Sequence, residues 1–68
     1  MKKLFNLTEQ EVNFLKYLAE GLKISEAAEN LHVSVKRAAV ISQNVRTKLN
    51  AKNLANAVYI AFNDKIID

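Results

Sequence analysis

Between Ser34 and Lys52 the chain carries five cationic side chains, Lys36, Arg37, Arg46, Lys48 and Lys52, and no acidic one. Gln43, Asn44 and Thr47 lie among them. Cations neutralise phosphate oxygens, and amide or hydroxyl groups pair with the edges of bases, so the chemistry on offer is recognition of a nucleic acid. The charge is local. Residues 1–33 hold four Lys against five Glu, and residues 53–68 hold one Lys against two Asp. Each flank is therefore −1, and the five cations of the basic segment alone make the formal net charge positive, at +3. An isolated basic stretch in a small chain is the footprint expected for a phosphate backbone.

Other chemistries find little support. There is no Cys and a single His, which removes a disulfide framework and a Cys/His zinc site. His32 has no second ligand type beside it and reads as a plain turn residue. No nucleophile, base and orienting group can be assembled, so neither a catalytic residue nor a metal or cofactor is expected. No small-molecule pocket is expected in so small a core. The opening Met1-Lys2-Lys3-Leu4-Phe5 resembles the start of a secretory signal, but Asn6, Thr8, Glu9 and Glu11 interrupt it before an apolar region forms. With no 18-residue apolar run either, the expectation is a cytoplasmic protein that does not span a membrane.

The basic segment must be held by helices. Sixty-eight residues leave room for one domain, residues 1–68, which buries only about 60% of the surface its unfolded chain exposes. No Pro and one Gly argue against an all-β fold, which needs turn residues at regular spacing. An all-α, four-helix bundle is predicted. Thr8 and Glu11 have the spacing of a capping box, with Leu7 as a staple, and Val12, Leu15, Leu18 and Ala19 repeat at helical spacing. Gly21 supplies a stop, which predicts a first helix over about 9–20. Ile24, Ala27, Ala28 and Leu31 mark a second over about 24–31, with two small residues that let a neighbouring helix approach.

Ser34 is a predicted N-cap for a third helix over about 35–49. At about 100° per residue, Ala38, Ile41, Ser42, Val45 and Leu49 form its inner face. Lys36, Val40, Gln43 and Thr47 lie opposite, flanked by Arg37, Asn44 and Lys48 on one edge and by Ala39 and Arg46 on the other. Asn53 is the predicted cap of a fourth helix over about 54–63, with Leu54, Ala57, Val58 and Ala61 inward. Its other side carries Ala55, Tyr59 and Phe62, more apolar surface than a solvated face needs. These form a dimer interface, or Tyr59 and Phe62 fold back over Leu4 and Phe5 as core.

A two-turn helix, a short connection and a longer basic helix make a helix-turn-helix, here residues 24–49. Within it and around it, Leu7-Thr8-x-x-Glu11-x-x-x-Leu15-x-x-Leu18-Ala19-x-Gly21, then Glu26-x-Ala28-x-x-Leu31-x-Val33-Ser34, then Val45-x-x-Lys48-Leu49 and Ala57-Val58 resemble the LuxR/GerE-type DNA-binding domain. The resemblance covers about residues 7 to 62. It implies transcription control, major-groove reading by the third helix and dimerisation mainly through the fourth, residues 54–63. Such a domain is usually the output half of a longer regulator, so the chain would be a stand-alone member or an excised domain. Where the family commonly has Thr-Val-Lys-x-His, this chain has Arg37-Ala38-Ala39-Val40-Ile41, with Ala39 replacing the frequent Lys and Ile41 the frequent His.

These readings converge on a sequence-specific, homodimeric regulator that binds double-stranded DNA. Lys36, Arg37 and Lys48 are the candidate phosphate contacts. Val40, Gln43, Asn44 and Thr47 are the candidate base contacts, with the two amides suited to adenine edges and Val40 to a thymine methyl. A rival reading keeps the fold but makes it a protein-interaction module that binds another regulator or a polymerase subunit, since Ala39-Val40 is apolar where a cation is usual.

Overall fold

The computed structural model describes residues 6–67, which form four α-helices and no strand. Helix α1 spans Glu9–Ala19, α2 Ile24–Leu31, α3 Val35–Leu49 and α4 Leu54–Asn63. All four starts are the predicted ones, and three carry the predicted caps. The Thr8 hydroxyl accepts from the Glu11 N–H at 3.1 Å while the Glu11 carboxylate accepts from the Thr8 N–H at 2.9 Å, completing a capping box. Ser34 Oγ accepts from the Arg37 N–H at 2.9 Å, and Asn53 Oδ1 from the Asn56 N–H at 2.8 Å. For α2 the cap position is Lys23, whose side chain has no acceptor, so Glu26 alone closes that end by accepting from the Lys23 N–H at 2.8 Å.

All four helices stop in the same way. After α1 the Leu22 N–H donates to the Tyr17 carbonyl and the Gly21 N–H to that of Leu18. Equivalent pairs follow α2 at His32 and Val33, α3 at Asn50 and Ala51, and α4 at Lys65 and Ile66. This is the Schellman arrangement, which requires one residue in the left-handed region. Gly21 takes φ 97° at little cost, but His32, Asn50 and Lys65 take φ 60°, 55° and 60° with a Cβ in place. Because Gly21 is already that residue, α1 ends at Ala19, one position before the predicted Glu20.

Helices α1 and α3 each pack against every other helix, whereas the backbones of α2 and α4 do not approach one another closely. The core is small and rich in alanine: Phe14 and Leu15 from α1, Ala27 and Ala28 from α2, Ala38, Ile41, Val45 and Leu49 from α3, and Ala57 and Ala61 from α4. Alanines on the facing surfaces let the helix axes approach closely, which a chain of this size needs to exclude water from a thin interior. The inner faces of α2, α3 and α4 are those read from periodicity. On α1 the stripe is displaced: Phe14 is fully buried, while Ala19, predicted to face inward, is exposed. The cause is Glu11, which stands three residues before Phe14 and four before Leu15 on the same face and is itself buried. A carboxylate at an inward position hides an i, i+3, i+4, i+7 pattern.

After α4 the chain turns back, and Ile67 joins the core at 3% exposure with its N–H donating to the Ala61 carbonyl. The sequence reading placed no core residue beyond α4. Leu4 and Phe5, which it offered as a cover for Tyr59 and Phe62, lie outside the described residues, as does the rest of the opening Met1-Lys2-Lys3. Among the described residues no helix is long and apolar enough to cross a membrane.

Two measurements test these energetics. Lys65→Gly and His32→Gly each relieve a left-handed residue and should raise unfolding free energy by about 0.5–1 kcal/mol, net of the added entropy of the unfolded chain. Ala28→Leu, at 1% exposure, should instead cost about 1–3 kcal/mol through overpacking. Urea titration followed by circular dichroism reads both signs.

Candidate nucleic-acid interface

The outer face of α3 is built by its inner one. Five residues, Ala38, Ile41, Ser42, Val45 and Leu49, are buried against the other helices, and this fixes the rotation of the helix about its axis. Lys36, Val40, Gln43 and Thr47 are consequently exposed in a row, spaced four, three and four residues apart. At about 1.5 Å per residue the row is about 16 Å long. Val40, at 44% exposure, is its apolar member, and Val35, at 57%, is exposed to one side of it. Arg37 is exposed beside the row, and its Nη2 lies 3.4 Å from Gln10 Oε1, a weak contact. Asn44 is half-buried, so less of its amide is presented than the sequence reading implied.

The first turn of α3 holds Lys36 and Arg37 and no acidic residue. Helix dipoles favour acids at this end, so the helix gains nothing for its own stability from two cations there. The same end, with its free N–H groups and added positive charge, suits an external anion.

Lys48 has a different environment from the other cations. Its Nζ donates to Glu11 Oε1 at 2.8 Å and to the Asn6 carbonyl at 3.0 Å, which joins the last turn of α3 to the start of α1. Of its three donors one remains. Burial alone would raise the Glu11 carboxyl, but the Lys48 hydrogen bond, the Thr8 hydrogen bonds and the Lys48 charge together hold it below the ordinary glutamate value. The cap spacing by itself gives Glu11 no further role, although its periodic match to Phe14 and Leu15 is a usable signal in the sequence. Arg46 is half-buried, and its Nη2 donates to Gln43 Oε1 at 2.6 Å. The i, i+3 spacing that allows this pair is legible too, although by charge alone Arg46 is only one cation among five.

On the fourth helix Ala55, Tyr59 and Phe62 are all exposed, the last two at 64% and 51%. They lie on one side of α4, away from the buried Ala57 and Ala61.

A short α2, a left-handed connection at His32 and a longer α3 whose outer face is basic define a helix-turn-helix protein. The family model described as bacterial regulatory proteins, luxR family, matches residues 5–61, and the chain belongs to this family. That membership places it among DNA-binding regulators of transcription, which are not an enzyme class. No curated protein matches the chain at a significant level.

The ion pair carries its own prediction. A carboxyl whose pKa is lowered by folding contributes stability at pH values above its unfolded pKa, and that contribution is lost as pH falls through the folded one. Lys48→Met should therefore destabilise the chain by about 1–3 kcal/mol near neutrality, because a buried charge loses its partner. The deficit should shrink on acidification toward pH 3, measured by thermal unfolding of both proteins across the pH range.

Proposed function

We propose that this chain regulates transcription by binding duplex DNA as a homodimer, with α3 lying in the major groove. The observation that carries the reading is the outer face of α3: an exposed row with two cations at its amino end, no acid anywhere in residues 34–52, and an orientation set by the core. In this reading Lys36 and Arg37 meet phosphates flanking the groove, and Lys48 uses its remaining donor for a third. Val40, Gln43 and Thr47 face base edges, with Asn44 contributing from the flank. Residues 24–49 form the recognition unit within a single domain. Tyr59, Phe62 and Ala55 of α4 supply an apolar surface for a second copy, which would set two half-sites about one helical turn apart.

A second reading, a protein-interaction module of the same fold, draws on the exposed Val35 and Val40 beside Ala39. It predicts a tight protein partner and DNA affinity too weak to discriminate sequences.

Fluorescence anisotropy with a labelled mixed-sequence duplex across a salt series separates the two. The DNA reading expects a log–log slope that reports several released counterions, and the double reversal Lys36→Glu, Arg37→Glu should weaken binding to all sequences by roughly 100-fold and flatten that slope by about two. Absence of binding at low salt would sink it. For the dimer, Tyr59→Ser with Phe62→Ser should leave binding to a single half-site unchanged and abolish cooperative occupancy of paired half-sites, followed by mobility shift. Unchanged cooperativity would remove α4 from the interface.

A further inference from the structure

Gln43 and Arg46 are one turn apart on α3, and the 2.6 Å bond between them is the shortest side-chain hydrogen bond among the described residues. Arginine has donors and no acceptor, so the end of the Gln43 amide that faces it must be the carbonyl. The orientation of the amide is thus decided by chemistry. Its Oε1 is turned to Arg46, and Nε2, with two N–H donors, makes no protein hydrogen bond among the described residues and belongs to an exposed side chain.

Arg46 is placed to hold rather than to reach. The residue is half-buried, and its Nε is shut off from solvent without a partner. A guanidinium laid down on the helix in this way is not extended toward a backbone phosphate, unlike the exposed Lys36 and Arg37. Its recorded side-chain hydrogen bond goes to Gln43 alone.

This arrangement changes what Gln43 can read. A free glutamine pairs with adenine in two places, donating to N7 and accepting from the N6 amino group. Here the accepting end is already engaged, and a positive charge stands beside it. An adenine amino group would approach a carbonyl with one lone pair left and a repelling cation alongside. Guanine presents N7 and O6, two neighbouring acceptors that suit both the free N–H groups and the positive potential. Cytosine offers a donor amino group, and thymine a single acceptor next to a methyl. We propose that Arg46 is the positioning residue that sets the base preference of this protein: by holding the Gln43 carbonyl it turns a potential adenine reader into a donor that selects guanine. The inference rests on α3 entering the major groove, as proposed above.

The test uses the full chain and a library of duplexes in which each position of a bound site is varied. The base pair at which Gln43→Ala flattens discrimination identifies the contact. At that pair the unmodified chain should prefer guanine over adenine by roughly tenfold, in the range of a good side-chain contact to a base. Arg46→Met, which retains length and removes the donors, should lose that preference or shift it toward adenine at this pair alone, whereas Arg46→Lys, which can still donate to Oε1, should retain most of it. Arg46→Leu serves as a second donor-free variant if the methionine form melts below the parent. An adenine preference in the unmodified chain would overturn the inference. So would an Arg46→Met variant that weakens binding equally on every sequence, which is the signature of a phosphate contact. If Gln43→Ala changes no base preference although DNA is bound, the placement of α3 in the groove fails, and the role of Arg46 falls with it for a distinguishable reason.

Discussion

A carboxylate cannot be taken out of water without partners, and Glu11 is 5% exposed. Its position on the inner stripe of α1, next to Phe14 and Leu15, forces the fold to supply them. One is local, the Thr8 N–H, which starts α1. The other comes from 37 residues away, Lys48 Nζ, which also takes the Asn6 carbonyl. The first turn of α1 and the last turn of α3 are thereby tied together. Since α3 is long and meets every other helix, a constraint at its carboxyl end and the five buried side chains along its length settle both its tilt and its rotation. The outer face follows from these.

The chain manages with very little apolar volume. Alanines from α2, α3 and α4 fill much of the core, and among the described residues only Phe14, Leu15, Ile41 and Val45 are large and fully buried. Four left-handed helix stops, only one of them at glycine, keep the connections short. Three residues thus carry backbone strain of about 1 kcal/mol or more each: at His32 and Asn50 the next helix begins almost at once, and at Lys65 the turn brings Ile67 back to the core. The return of Ile67 to the core adds apolar burial past the last helix.

With the inner face devoted to packing, the outer face of α3 is free to be chosen for a partner. Cations at its amino end oppose the local helix dipole, which is a local disadvantage that makes sense for an anionic ligand. The cations are not equivalent, however. Lys36 and Arg37 are exposed, Lys48 is shared with Glu11, and Arg46 is folded onto Gln43. Counting charge along the segment therefore overstates how many side chains stand ready for phosphate, while understating how strongly neighbouring side chains shape one another.

Much of the architecture was written locally in the chain. The Thr8, Ser34 and Asn53 caps, the i, i+3, i+4, i+7 faces of α2, α3 and α4, and the motif order that resembles the LuxR family are determined by contacts among near neighbours, which spacing alone reveals. Helix bounds followed to within a residue. The buried face of α1 did not, because a charged residue occupies it and its compensation lies at Lys48, far along the chain. Nor did the docking of Ile67, which depends on a turn at Lys65 that no glycine announces. The division of labour among the cations was also settled only by tertiary structure: a lysine and an arginine carry the same charge in a sequence, but what each can touch depends on which carbonyl or carboxylate the folded backbone has brought within hydrogen-bonding distance.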